Sequence, residues 1–488
     1  MAPEVSRQVF VRGALGVAAG SLLASCQSPA APRPQPPPVV SGPPDWAALE
    51  DAIEGQLILP AGAGYTAAKN VFNMRFANCA PAAVVAVKST SDVQKAMVFA
   101  AKNGIKVAAR SGGHSYIGAS AAPAAMIIDL RQMPGGVAYN DKRRLATVSA
   151  AAQLNSLHTT LAAHGRAIPG GSCPTVGVAG LTLGGGFGSD ARLSGLTCDA
   201  LVSASVVLPS GEAITAAPDD HADLFWALRG GGGGSFGVVT SFTFRTFPIT
   251  DRDVITLVFP EAATEQAIIG WHEWLRTADR AIWGMVNITK GGGSGDCTMV
   301  LATPPGDGPS RAADLSAAIG VRPAIGTSRT LSRMDFVHYF EGGAQATHPR
   351  AFVAGSDIVG KMAPATAESI VAATSAWPQA AGSATTVIES LSGAVSDVDS
   401  GDTAFPWRRQ AACIQWYAET PAPTTVAAAD RWLQSAHDTV QASSVGGYVN
   451  YVEPDTAAAR YFGGNLERLA AVRQRYDPDE LMYSGIGF

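Results

Sequence analysis

Apolar residues fall at helical spacing where Asp45 opens a segment with Trp46, Leu49 and Ile53 on one face, so a helix capped by Asp45 is predicted there. Ala83–Val87 is an unbroken apolar run and reads as a strand. Ser91 is placed to cap a helix carrying Val93, Met97, Phe99 and Ala100, and Gly104 stops it. Ile105–Ala109 is the next strand. Strand, helix, strand with short joints predicts a parallel crossover unit. Arg110-Ser111-Gly112-Gly113-His114-Ser115-Tyr116 follows it directly.

A second helix is predicted over Leu154–His164, closed by Gly165. Then come the glycine-rich stretch Gly170–Gly180, which holds Cys173, and a second one over Gly184–Gly188. A hairpin with strands near Val202–Leu208 and Ala213–Ala216 turns at Pro209-Ser210-Gly211. A short helix over Asp223–Arg229 leads through Gly230–Gly234 into the alternating strand Val238–Phe247. Beyond Pro248 the glycine density falls, and helices alternate with strands to about Ser444. Tyr448–Val452 reads as strand, and Leu466–Tyr476 as a helix ended by Asp477-Pro478.

The start of the chain follows a different pattern. Gly13–Ala24 is apolar, follows Arg7 and Arg12, and is too short to span a bilayer, as in the core of an export signal. It ends Leu23-Ala24-Ser25-Cys26, which is similar to a bacterial lipobox and makes Cys26 the candidate lipid-bearing residue. Ser6–Arg12 resembles a twin-arginine signal with Gln8 in place of the second arginine, so both export routes stay open. Between Pro29 and Pro44, eight of sixteen residues are proline, which favours an extended spacer with no core. An exported protein is expected, a cell-envelope lipoprotein or a periplasmic or secreted one, touching membrane only through lipid on Cys26.

Composition narrows the function. The 488 residues carry 35 Lys+Arg against 40 Asp+Glu, without a basic run, which argues against nucleic-acid binding. The six cysteines form no CxxC pair and the eight histidines no HExxH, so no metal site is expected. The 53 glycines are well above average usage of about 7% and cluster where backbone can approach a ligand closely.

Some motifs carry no chemistry. Gly232–Gly237 spells GxGxxG and, around Ser235, GxSxG. Both motifs require a helix next, and here a strand follows, so a flexible turn is expected. Gly355–Lys361 spells GxxxxGK, but Met362 replaces the Ser/Thr that would hold magnesium.

Two glycine-flanked reactive side chains remain, His114 and Cys173. Taken singly, they read as a turn histidine and a buried thiol; the combination points to a site. These segments resemble the berberine-bridge-enzyme-like FAD-linked oxidases of the vanillyl-alcohol-oxidase superfamily. The likeness rests on Arg110–Ser115 and Cys173–Gly188. It extends to Asp223–Arg229 with Phe236–Thr240, to Tyr448-Val449-Asn450-Tyr451, and to Tyr461–Asn465 through Tyr476-Asp477-Pro478. It runs from about residue 70 to 488 in family order. Ala179 departs from it, standing where glycine is common.

The resemblance implies an α+β chain: a two-part FAD-binding domain of the PCMH type, plus a substrate domain whose antiparallel sheet is covered by helices. The expected division is signal 1–25, linker 26–44, FAD domain 45–248, substrate domain 249–445, and a segment 446–488 returning to the FAD domain. It implies FAD bonded covalently through His114 to the flavin 8α-methyl and through Cys173 to C6. The loop Arg110, Ser111, Gly112, Gly113, His114 and Ser115 would hold the cofactor, with Gly177, Gly180, Gly185 and Gly186 along the pyrophosphate and Val239 beside the adenine end. Val176 would face the central ring, where a valine resembles the oxidases. Tyr448 would be the base that takes the hydroxyl proton, Asn450 would orient it or the flavin, and Gln415 is expected to face the substrate. The reaction implied is oxidation of an alcohol, such as a sugar or oligosaccharide lactol, with oxygen as acceptor and hydrogen peroxide as product. A dehydrogenase with another acceptor and a secondary-metabolite oxidase stay open. A non-enzymatic ligand-binding lipoprotein is disfavoured, since Tyr448, His114 and Cys173 are all retained.

Overall fold

The computed structural model describes residues 42–291, 297–340 and 347–488. The signal and spacer expectations, apart from residues 42–44, lie outside the described residues.

Asp45 caps the helix Trp46–Ala52 by accepting the Ala48 N–H. Ala83–Ala86 and Val107–Arg110 are parallel strands, but they do not pair with each other. Met126–Asp129 lies between them and pairs in parallel with both. The intervening helix runs Thr90–Asn103. Its cap is Ser89 rather than Ser91: the Ser89 hydroxyl accepts the Asp92 N–H. Gly104 ends it at φ +63, a left-handed conformation that glycine adopts without steric cost.

A five-stranded sheet follows, with Val238–Arg245 at its centre between Leu145–Ser149 and Leu201–Val207. The predicted hairpin is present, with Ala204 opposite Ala216 and Val207 opposite Ala213. The two sheets and their helices share one buried core, including Val85, Met97, Ile128, Leu157, Phe242 and Phe244.

After Pro248 the chain builds an antiparallel sheet of eight described strands. In order across the sheet these are Ala324–Leu331, Arg252–Phe259, Cys297–Thr303, Trp283–Lys290, Ala384–Ser390, Ala412–Glu419, Phe352–Val359 and Ser444–Gly446. Its central strands alternate between faces, as half-buried strands must. Thr386, Ile388, Ile414 and Trp416 are buried. The helices Thr264–Thr277, Gly308–Ile319, Pro364–Ser375 and Pro423–Val440 contribute Trp271, Leu315, Ile370 and Trp432 to the core that holds Ile388, Ile414 and Trp416. The alternate residues Met285, Asn287, Thr385, Val387, Glu389, Gln415 and Tyr417 face a cavity instead.

Two features join these parts. Arg192 is buried and donates to the carbonyls of Leu275 (2.7 Å) and Ala278 (3.2 Å), where a cation is favoured at the end of the helix Thr264–Thr277. The last residues return to the first sheet: the Val107 N–H reaches Leu481 O (2.9 Å) and the Tyr483 N–H reaches Val107 O (2.7 Å). The fold is the expected α+β one, with two smaller sheets sharing one core and a helix-covered antiparallel sheet.

Tyr448–Val452 is not a strand. Val449–Tyr451 forms a 3-10 turn, closed by the Tyr451 N–H on Tyr448 O at 2.8 Å.

Candidate active site

A cavity of about 730 Å³ opens between the glycine loops and the exposed face of the large sheet. His114 and Cys173, far apart in sequence, both line it. The helix Leu154–Ala163 sets the Cys173 loop. Its first N–H groups have no partner within the helix and are free to bind outside it. Leu154 donates to Val176 O (3.0 Å) and Asn155 to Pro174 O (3.1 Å). His158 from the same helix lies 2.9 Å from Gly171 O and holds the start of the loop.

His114 is stacked on Phe72, with centroids 3.9 Å apart and planes at 20°. Its Nε2 lies 2.8 Å from Thr175 Oγ1. Burial, with the Arg350 charge, lowers its pKa to about 4, so the imidazole is neutral near pH 7. Burial raises the Cys173 pKa, opposed by hydrogen bonds from the Thr175 backbone and hydroxyl and by the Arg350 charge. Thr175 therefore acts on both residues. Arg350 also packs against Phe72, its guanidinium carbon 5.6 Å from that ring centroid.

The glycines fit a dinucleotide. A Cβ on Gly112 would stand 2.2 Å from the Gly177 nitrogen, and one on Gly177 2.2 Å from Ser111 Oγ. The two loops thus cross backbone against backbone. On the cavity side, a Cβ on Gly180 would meet nothing within 4 Å, and one on Gly233 nothing nearer than 3.9 Å. Side chains at these positions would occupy the space that the glycines leave open. The Gly232–Ser235 stretch, read from sequence as a flexible turn, lines this cavity as well. Its role as a wall required tertiary contacts to see.

Of the residues expected at the site, Ser111, Gly112, Gly113, His114, Ser115, Cys173, Val176, Gly177, Gly180, Val239, Gln415 and Asn450 all line the cavity. Four do not. Arg110 is wholly buried and donates to Asp129 Oδ2 at 2.8 Å and to the Lys69 carbonyl at 3.3 Å, so it braces the strand behind the loop. Gly185 and Gly186, at φ +119 and +86, form the tight turn behind the wall. Tyr448 is 3% exposed, and its hydroxyl accepts hydrogen bonds from the Gly186 N–H and from Asn450 Nδ2, each at 2.9 Å. Burial raises its pKa, outweighing both bonds, so the phenol stays protonated. It holds the glycine turn to the C-terminal segment, away from the cavity.

Within this segment the tyrosine that faces the cavity is Tyr451; Tyr116, Tyr417 and Tyr483 line it from elsewhere. Its ring stacks on Tyr116, 5.2 Å away at 13°, and meets Tyr448 edge-on at 4.9 Å. Gln415 Nε2 donates to the Tyr116 hydroxyl. The Tyr451 hydroxyl has no hydrogen-bond partner among the described residues. Burial raises its pKa, with Tyr116 and Glu389 adding to the effect. Glu389 is the carboxylate on the facing strand, and burial alone lifts it to about 7. Sequence reading passed over Tyr116 and Glu389. The signal for Glu389 was an acid inside the apolar alternation of Ala384–Ser390.

The site thus brings a neutral imidazole and a thiol into one cavity with tyrosines, an amide and a carboxylate, lined also by the glycine loops. Residues 81–217 match the family model described as FAD binding domain, and residues 447–484 the model described as berberine and berberine like. The xylooligosaccharide oxidase of Thermothelomyces thermophilus is 30% identical over 441 residues, spanning 83% of this chain and 86% of that one. The carbohydrate oxidase of Microdochium nivale is 28% identical over 473 residues, covering 87% and 91%. The solved structure of a Microdochium nivale carbohydrate oxidase with a substrate analogue superposes with a TM-score of 0.80 at 26% identity, covering 90% of this chain and 98% of that one. A glucooligosaccharide oxidase structure from Acremonium strictum, described as carrying 6-S-cysteinyl, 8α-N1-histidyl FAD, shares the fold with a TM-score of 0.83 at 23% identity. It covers 91% of this chain and 99% of that one. The chain belongs to the berberine-bridge-enzyme-like FAD-linked oxidases. It is an oxidoreductase whose cofactor is FAD.

Proposed function

We propose that this enzyme oxidises the anomeric CH–OH of a sugar or oligosaccharide, with FAD held covalently through His114 and Cys173 and oxygen as the final acceptor. The observation that carries the reading is that His114 and Cys173 line one cavity together with Tyr451, Gln415, Tyr417 and Glu389. When bound, FAD supplies the acceptor for a hydride and hands the electron pair to oxygen, giving hydrogen peroxide. The relatives named as carbohydrate and xylooligosaccharide oxidases support a sugar substrate. So does the cavity wall, where the aromatic rings of Trp283, Phe340 and Tyr417 stand among the polar groups of Asn287, Thr385 and Gln415.

His114 is suited to its attachment. It is neutral near pH 7, and with Nε2–H donated to Thr175, Nδ1 keeps its lone pair free. The Gly112–Gly177 crossing holds the two attachment loops together. Gly180 and Gly233 leave room for the pyrophosphate.

A hydride leaves an alcohol carbon readily only as the hydroxyl proton departs. Tyr451 lines the cavity whereas the Tyr448 hydroxyl is occupied, so Tyr451 takes that proton; its phenol is itself protonated, and it accepts the substrate proton only as it gives up its own. Glu389, near its midpoint at neutral pH and lining the same cavity, is the carboxylate that receives the phenol's proton through an intervening water. Gln415 fixes Tyr116, and Tyr116 stacks beneath Tyr451, so the phenol is held rigidly. The export signal and Cys26 lipid read from the sequence complete the proposal: an enzyme working outside the cytoplasm, where a tethered flavin cannot be lost. No helix among the described residues is long and apolar enough to cross a membrane.

A panel of mono- and oligosaccharides on purified protein tests the function. Anaerobic bleaching of the flavin by an aldose, and stoichiometric peroxide in air, are expected. Bleaching by no sugar while a non-carbohydrate alcohol bleaches it would refute the substrate class, and bleaching without peroxide would mean another electron acceptor.

A further inference from the structure

A buried cluster of charge lies behind the tyrosines, and the reaction proposed above does not use it. His437, on the helix Pro423–Val440, has Nδ1 2.7 Å from Asp357 Oδ2 and Nε2 2.6 Å from Glu453 Oε2. A ring facing a carboxylate at each nitrogen is satisfied only as the imidazolium. Burial opposes the charge, but the hydrogen bonds to Asp357 and Glu453 outweigh it and push the pKa up to about 9.

The other groups facing this ring complete the balance. Arg460, from the helix Ala459–Phe462, donates to Asp357 Oδ1 at 2.9 Å and lies 3.0 Å from His437 Nδ1. Asp357 also accepts from Trp416 Nε1 at 2.8 Å and Ser444 Oγ at 2.5 Å. Two cations and two carboxylates therefore neutralise each other inside the protein. On the same helix, Asp438 accepts from Gln434 at the surface.

The cluster grips the turn that carries the cavity tyrosine. At one end, the Tyr448 N–H donates to Ser356 Oγ at 2.9 Å, next to Asp357. At the other, Glu453 is held by His437 and accepts the Ser356 N–H at 3.2 Å. Gly355 makes room for it, since a Cβ there would stand 2.3 Å from Glu453 Cδ. Asn450 and Tyr451 lie between these anchors.

We propose that His437 is a positioning residue: bridging Asp357 and Glu453, it clamps residues 448–453 so that Tyr451 keeps its place in the cavity. This rests on the assignment of Tyr451 as the proton acceptor. Loss of one His437 proton removes the positive charge between Asp357 and Glu453 and leaves one of these carboxylates without its donor. The turn then loosens and the base is misplaced while the sugar-binding wall on the large sheet is untouched. The expected signature is a loss of rate at high pH rather than a loss of binding.

The test uses full-length, flavin-loaded wild type and His437→Gln, with anaerobic flavin reduction and thermal unfolding followed from pH 6 to 10. His437→Gln is expected to slow reduction about 10–100-fold at pH 7, the order expected for a misplaced reacting group, with substrate affinity changed by less than about three-fold. The wild-type rate should fall as pH rises through about 9, and that fall should be missing in His437→Gln. A histidine whose pKa is raised on folding contributes all its stability below its unfolded pKa of about 6.5 and loses it through the folded value. The difference in Tm between the two proteins should therefore be widest near pH 6 and close by pH 10. Reduction at the wild-type rate in His437→Gln, or the same high-pH fall in both proteins, overturns the proposal. If His437→Gln does not fold, Glu453→Gln should slow reduction to the same extent with the high-pH fall moved to lower pH, and wild-type kinetics in it overturn the proposal equally. Tyr451→Phe, measured alongside, separates the two readings: near-wild-type reduction there refutes the base assignment, whereas wild-type kinetics in His437→Gln refute the clamp whatever Tyr451→Phe does.

Discussion

Removing one hydroxyl from each of two neighbouring tyrosines distinguishes holding a loop from moving a proton. Tyr448→Phe deletes the acceptor of two hydrogen bonds, from the Gly186 N–H and from Asn450 Nδ2. Asn450 Nδ2 also donates to Leu181 O at 3.0 Å and keeps that partner. The Gly186 N–H keeps no other partner among the described residues. An unsatisfied buried donor costs about 1–3 kcal/mol, so Tyr448→Phe should lose about that much stability. Its effect on chemistry should be small, within about ten-fold, because its hydroxyl does not reach the cavity. Tyr451→Phe reverses the pattern. Its hydroxyl has no described partner to lose, so stability should hold, whereas loss of a general base slows proton transfer about 10²–10⁴-fold. Anaerobic stopped-flow reduction reads the chemical step, and denaturant unfolding reads the stability. A Tyr448→Phe enzyme slowed 100-fold or more, with Tyr451→Phe near wild type, would refute the assignment and show that the turn rearranges when the cofactor is bound.

Four further outcomes follow from the same geometry. The wild type should stay yellow after acid precipitation, while His114→Ala or Cys173→Ala should each leave one covalent link with a shifted spectrum; release of all flavin from the wild type would refute the tethers. The rate of flavin reduction should rise with pH through a midpoint near 7, since Glu389 must be ionised to receive a proton, and Glu389→Gln should abolish that limb; a mutant with an unchanged profile would exclude Glu389. Val176 lines the cavity beside Cys173, and Val176→Leu should slow reoxidation in air at least about ten-fold by filling the space oxygen needs, with anaerobic reduction little changed; equal reoxidation rates would remove the gate. Mass spectrometry of the native N-terminus should find Cys26 first and lipidated, and an unmodified peptide starting downstream would refute lipidation while leaving export intact.

Much of the architecture was set by local sequence. The helix Leu466–Tyr476 and the strand beginning at Val238 lie where periodicity and glycine punctuation put them, because these depend on neighbours a few residues away. The glycines of the 112 and 177 loops were legible for the same reason: only a residue without Cβ permits such close approach. The tertiary structure decided the rest. That Met126–Asp129 separates the two parallel strands is a matter of pairing, which composition does not encode. Arg110 opened the expected loop in sequence, yet it turns inward to Asp129, since a buried cation must find its carboxylate. The choice between Tyr448 and Tyr451 turned on the conformation of three residues. A strand would have put Tyr448, Asn450 and Val452 on one face. The 3-10 turn instead presents Val449 through Val452 to the cavity and leaves the Tyr448 hydroxyl against Gly186. That turn is bonded at its ends to Ser356 and His437, remote in sequence, so its shape was fixed only when those elements packed together.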